Sequence, residues 1–225
     1  MNEFDFYQSM GMPSGQPGRF CLTDVRLNLN DKKHLQGRHN QMSHGRGGGG
    51  SGGGFVDREM AEKWSSGSAV PGPVYRGTGH PEEMPSKSGG AAYSALGEGY
   101  YFLEGSEGKR QASGYGDHVV EYRVNVNKVK TVRGDAEMDQ VRHKAKEWAD
   151  GIVNPHLAEV AAGKSTPDPE KLALISSHTQ TSAYLKSQGY GALRYEQVDP
   201  LNDHHNQLLV FDVNDVVGVK GSHIE

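Results

Sequence analysis

Apolar residues recur along this chain with two distinct periods, and only after a long polar beginning. Val120, Tyr122, Val124 and Val126 alternate with Glu121, Arg123 and Asn125, the period of two that predicts a half-buried strand. Met138, Val141, Ala145, Trp148 and Ile152 recur at steps of three and four, which predicts an amphipathic helix. Phe55 to Ser65 reads as a helix with Met60 and Trp64 on one face, and Val74 to Arg76 as a short strand after the Pro71-Gly72-Pro73 breaker. Gly99 to Leu103 reads as another strand, followed by at most a brief helix over Arg110 to Gly114. Pro169 to Ser187 supports a helix closed by Gly189 at a C-cap position. Gly191 to Gln197 and Leu208 to Val213 supply two late strands around a polar turn. Helices and strands mix without a regular βαβ repeat, so the expected class is α+β rather than doubly wound.

The first 54 residues have another character. Gly11 to Gly18 is rich in Gly and Pro, residues 28–46 are polar and basic, and Gly47 to Gly54 is glycine broken only by Ser51. Such a stretch buries nothing that offsets its ordering entropy. The reading is a disordered, flexible tail over 1–54 and one folded domain over 55–225. Composition agrees, with an apolar share of 34% and 31 glycines concentrated unevenly along 225 residues.

Charge narrows the field a little. The net charge of −4 and a pI near 6.3 give no general argument for nucleic-acid or membrane affinity. The single Cys21 leaves no intrachain disulfide and suits a reducing compartment. The opening residues are acidic and polar, and no run of 18 apolar residues occurs, so a cytoplasmic location without a membrane partner is expected.

Eleven histidines raise the question of metal. His34, His39 and His44 recur every five residues, a spacing that does not stack on one helix face, and no Cys or acidic cluster completes a shell. A solvated polar tail explains them, a polyanion or metal site being the alternative; no metal is expected. His204 and His205 either decorate a loop or touch a substrate. Gly97-x-Gly99 lacks the third glycine and the Lys-Ser/Thr ending of a phosphate loop. Arg76 ends a short apolar strand before Gly77-Thr78-Gly79; its fork of donors suits a phosphate or ribose oxygen, or a surface carboxylate. Tyr100 and Tyr101 point to opposite faces of a strand, so only one can face a common site. Tyr115, flanked by Gly114 and Gly116, presents an open ring face, although such aromatics commonly pack in cores.

The order of these features resembles the ADP-ribosyltransferase family. The matching segments are Tyr75-Arg76-Gly77, Gly97-Glu98-Gly99-Tyr100-Tyr101-Phe102, Ala112-Ser113-Gly114-Tyr115-Gly116 and Asn206-Gln207-Leu208-Leu209-Val210-Phe211-Asp212, spanning roughly residues 70 to 220. The resemblance implies a split β-sandwich of two small sheets flanked by helices, and NAD as substrate. It implies Arg76 at the phosphate or ribose side of NAD, and Gly77 offering backbone to the nicotinamide carboxamide. Tyr101 and Tyr115 would flank the nicotinamide ring, with Gln207 where most members carry glutamate. Arg76, Tyr101 and Gln207 thus become the expected catalytic set, and Arg76, Gly77, Tyr101 and Tyr115 the NAD-binding set. A glutamine there accepts a hydrogen bond from the ribose 2′-hydroxyl but brings no charge and cannot act as a base. Ala112 replaces a serine found in some members, with Ser113 adjacent, and Glu196 is a candidate for the missing carboxylate.

The tail is similar to the His-x-x-Gly-x-His-x-Gln-x-Ser-His-Gly segments of bacteriophage head-associated proteins. Together the resemblances imply a phage-encoded mono-ADP-ribosyltransferase acting on a host protein or nucleic acid in the host cytoplasm. The tail would associate it with the phage particle. A module that binds NAD or ADP-ribose without turnover, and a structural or packaged phage protein, are the two other classes the sequence leaves open.

Overall fold

The computed structural model describes residues 53–88, 96–197 and 206–223. Most of the tail, with Cys21, His34, His39 and His44, lies outside the described residues, as do His204 and His205. The described chain is α+β. Its strands are β1 (Phe55–Val56), β2 (Val74–Thr78), β3 (Tyr100–Glu104), β4 (His118–Val124), β5 (Val129–Arg133), β6 (Ala192–Glu196), β7 (Asn206–Val210) and β8 (Val216–Val219). They form one mixed sheet in the order β1-β8-β4-β2-β3-β7-β6-β5. Two small separate sheets were expected; instead two four-stranded halves are joined at β2 and β3 by only two residue pairs, Val74 with Glu104 and Tyr75 with Leu103. By contrast β2 shares five pairs with β4, and β3 four with β7.

The helices are α1 (Arg58–Trp64), α2 (Gly105–Ala112), α3 (Gly134–Ala161), α4 (Pro169–Ala173) and α5 (Ser177–Ser187). One face of the sheet buries Val74, Phe102, Val120, Tyr122, Leu208 and Val210 in a continuous core. On the other face, α3 and α5 cover the β3–β7–β6–β5 half through Met138, Val141, Leu185, Leu193 and Leu209. The α3 stripe follows the predicted one through Met138, Val141 and Ala145, then continues through Ala149 and Val153, with Trp148 and Ile152 half-buried beside it. The helix ends much later than its apolar stripe suggests and carries Pro155 within it.

Several expectations need correction. Phe55 and Val56 are a strand parallel to β8 rather than helix, and α1 begins after them; Ala61 faces the core while Met60 is exposed. The predicted helix over Pro169 to Ser187 is two helices, the break falling at Leu174 to Ser176. The brief helix after β3 is a full two turns. Strand β4 is buried on both faces, because α1 covers the face that carries Glu121 and Arg123. Arg58 makes a bidentate pair with Glu121 at 2.7 and 3.0 Å, and Arg123 reaches Glu62 at 3.2 Å. These buried charges are tolerated because each has a partner.

Candidate functional site

The site is built where the sheet parts. Beyond Tyr75 and Leu103 the β2–β3 ladder stops, although β2 continues through Arg76, Gly77 and Thr78 alongside β4. Backbone direction at Gly77 follows from β4. The Glu121 N–H donates to Ser222 Oγ and the Asn125 N–H to the Asp215 carbonyl, both on the β8 side. Odd residues of β4 therefore direct their backbone groups toward β8, and even ones toward β2. Arg76 exchanges bonds with Val120, and the N–H and C=O of Gly77, opposite Val119, point away from β4 into the split. Gly77 thus presents one donor and one acceptor at the parting.

A glycine at this position is forced by packing. A Cβ on Gly77 would lie 2.0 Å from the Ala112 carbonyl oxygen and 3.0 Å from the Tyr115 carbonyl carbon. Reciprocally, a Cβ on Gly116 would lie 2.3 Å from the Thr78 nitrogen. The corner formed by the end of α2 and the 3-10 turn Ser113–Tyr115 is therefore seated backbone to backbone on β2. It leaves the Tyr115 side chain beside the split, 68% exposed.

The Gly97-x-Gly99 pair acts similarly on the other lip. Gly97 has φ 131 and abuts Ser182 and His178 of α5, while a Cβ on Gly99 would strike the Val210 carbonyl oxygen at 2.6 Å. These glycines aim β3. Tyr100 then packs on the core of one face and Tyr101 on that of the other, as alternation requires. The Tyr101 hydroxyl donates to the Gly97 carbonyl at 2.9 Å and accepts from the Leu96 N–H at 3.0 Å. Burial raises its pKa, with the Leu96 and Gly97 hydrogen bonds and Arg142 opposing, so it stays a neutral phenol.

Register places Gln207 with this group. Gln207 is opposite Leu103 and Leu209 opposite Tyr101, so Gln207 and Tyr101 are diagonal neighbours on one face, about 7–8 Å apart at Cα. Gly77 belongs to the same face, two residues beyond Tyr75, which is itself opposite Leu103. Gly77 on one lip and Tyr101 and Gln207 on the other thereby share one face of the sheet at the parting, with the Tyr115 corner resting on Gly77.

Arg76 stands apart in one respect: its side chain leaves the opposite face of β2, that of Val74 and Tyr122. Its guanidinium donates to the Ser86 carbonyl at 3.2 Å. Two residues on, Ser88 bridges to Gly99 through its N–H at 2.9 Å, and Lys87 pairs with Glu98. A strap from Met84 to Ser88 therefore lies along β3's edge where the β2 ladder has ended, and holds the Arg76 head there. Burial lowers the Arg76 pKa, yet a guanidinium remains cationic.

Other candidates are engaged elsewhere. Glu196 is opposite Asn206, hence on the face away from Gln207, and pairs with Arg133 at 3.1 Å. The Ser113 hydroxyl donates to the Arg110 carbonyl, and Ala112 is fully buried. Sequence reasoning missed Tyr195, the register partner of Gln207, whose hydroxyl donates to Asp135 at 2.9 Å, and missed the strap altogether. Alternation within Ala192–Glu196 carries the first signal; nothing local announces the second. Among the described residues no group of three metal-ligating side chains gathers, and no helix is long and apolar enough to cross a membrane. No family model, curated protein or solved structure matches the chain.

Proposed function

We propose that this chain is a mono-ADP-ribosyltransferase that takes NAD at the parting of β2 and β3. The observation that carries the reading is the gathering of Gly77, Tyr101 and Gln207 on one face there, beside the Tyr115 corner. The fold reading that goes with it is a split β-sandwich, each half of the sheet forming one leaf. The N–H and C=O of Gly77, which turn away from β4, match the acceptor and donor of the nicotinamide carboxamide. Tyr101 and Tyr115 offer ring surface to the nicotinamide, and Arg76 offers its fork to the ribose or pyrophosphate once released from Ser86.

The chemistry asked of the site is modest. The bond from C1′ of the nicotinamide ribose to the ring nitrogen breaks, and nicotinamide leaves neutral with the bonding pair. A nucleophile on the acceptor then bonds C1′ and gives its proton to solvent. Positioning supplies much of such a reaction, and the Gln207 carbonyl can hold the 2′-hydroxyl while charge develops on the ribose. Gln207 adds no negative charge, which favours transfer to an acceptor with its own nucleophilicity. The proposed acceptor is a host protein or nucleic acid, met in the host cytoplasm by a phage protein that associates with the particle through its N-terminal tail.

Gln207 also supports a second reading, a module that holds NAD or ADP-ribose without turnover. Incubation with labelled NAD in a host lysate separates the two: label on a macromolecule, or free nicotinamide, marks an enzyme. Arg76→Ala is expected to abolish transfer while leaving the melting temperature unchanged. Gln207→Glu is expected to raise transfer or hydrolysis. Full activity of the arginine variant refutes the assignment.

A further inference from the structure

Beside the parting, α3 and the beginning of α5 enclose a cleft of about 380 Å³. Arg142, His143 and Lys146 line it from α3, and His178, Gln180 and Thr181 from α5. Among the described residues its lining contains no carboxylate. Every polar side chain on the wall can donate: a guanidinium, an ammonium, two imidazoles, an amide and hydroxyls. Three carboxylates along α3, outside the lining, meet it: Asp139 pairs with Arg142 at 2.6 Å, Glu147 lies 3.3 Å from His143, and Asp150 pairs with Lys146 at 2.5 Å. Such exposed pairs one turn apart are weak and readily exchanged for a stronger anion. The volume falls within the lower range of small-ligand pockets. Gly97 forms part of the wall, and its carbonyl holds the Tyr101 hydroxyl, so the cleft adjoins the candidate site without including Arg76, Gly77 or Gln207.

We propose that this cleft is a second binding site, selective for the phosphate group of a nucleotide. The inference goes beyond the reading of the parting and stands without it. Convergent donors in a concave wall focus positive potential where a phosphate, dianionic on a free nucleotide and monoanionic within a strand, can displace the weak internal pairs. The phosphate belongs either to a free nucleotide or to one nucleotide of a strand, and the wall chemistry is the same for both.

The test is calorimetric titration of the full chain at low salt with adenosine 5′-monophosphate, adenosine and a short single-stranded oligonucleotide. The monophosphate is expected to bind and adenosine to fail. Lys146→Glu and Arg142→Gln are each expected to weaken the monophosphate by about tenfold or more, the loss of one charge-assisted contact. Lys144→Glu, an exposed cation of α3 outside the lining, should leave that affinity unchanged, which ties the loss to the cleft rather than to net charge. Tighter binding of the oligonucleotide, lost in the same variants, assigns the phosphate to a strand; the reverse order assigns it to a free nucleotide. Equal binding of adenosine, or unaltered binding by both folded variants, overturns the proposal. Melting curves control for folding, and the two positions are independent should one variant fold poorly.

Discussion

Replacing Gly77 with alanine places a methyl carbon 2.0 Å from the Ala112 carbonyl oxygen, 2.9 Å from the Gly116 nitrogen and 3.0 Å from the Tyr115 carbonyl carbon. All three neighbours are backbone, so no side chain can swing aside. Strand β2 is held by five pairs to β4, and the corner from Ala112 to Gly116 is the part that must retreat. Overpacking of this kind costs about 1–3 kcal/mol. For a domain of this size that lowers the melting temperature by about 2–12 °C. Gly114→Ala is the matched control, since nothing lies within 4 Å of its added carbon. Differential scanning calorimetry of both variants should show Gly77→Ala melting early and Gly114→Ala melting with the parent. The same retreat draws Tyr115 away from β2, so NAD affinity of the Gly77 variant, measured well below its melting point, should fall while the control retains it. Coincident melting of Gly77→Ala and the parent would refute the backbone-on-backbone packing, and with it the reason for placing Tyr115 at the parting.

Three further outcomes follow from the burial of charged and phenolic groups. Glu121→Ala takes one of two carboxylates from Arg123, itself 8% exposed, leaving it Glu62, and should cost about 1–2 kcal/mol in urea unfolding. Arg58 adds little to that cost because its side chain is half in water and regains hydration. An unchanged midpoint would mean that the cluster contributes nothing net. Burial pushes the Tyr122 phenol up to about 12, so the folded state retains a proton that the unfolded chain loses near pH 10. The sign is that of a raised acid: the contribution is complete below pH 10 and disappears as pH rises through 12, an order of about 3 kcal/mol. Tyr122→Phe should flatten part of this alkaline loss, with Tyr75, Tyr101 and Tyr195, which burial also raises, sharing in the remainder. A stability profile identical to the parent between pH 10 and 12 would contradict the shift.

Much of the candidate site's framework was legible because its signals are local. Gly77, Gly97 and Gly99 stand where backbones touch, and a glycine required by contact leaves a mark in the sequence that a side chain in water does not. The alternation of β3 correctly separated Tyr100 from Tyr101. The amphipathic stripe of α3 was plain for the same reason. Other features depend on partners distant in the chain. Strand β8 is four residues, all buried, too short for a period to show, and β1 is two residues defined by their pairing with it. The burial of Glu121 and Arg123 required knowing that α1 would bring Arg58 and Glu62 over them. Position along β2 could not say which face Arg76 would take relative to Gln207, since that is set by register across three strands, β2, β3 and β7. The strap is invisible in the sequence because Ser86 engages Arg76 through its carbonyl, a group every residue possesses.

Eight strands share a single crease, and only Tyr75 and Leu103, with the pair beside them, stitch it. Stiffness elsewhere in the sheet means that any bending concentrates along this line, as in a stiff card scored once across its middle. A small rotation about it leaves both leaves intact yet changes greatly the separation of groups mounted beyond it, Gly77 on one leaf and Tyr101 with Gln207 on the other. Opening is resisted on one face by the core that runs under both leaves, where Phe102 meets Tyr122, and amide hydrogens bordering the crease should register whatever wedges it open.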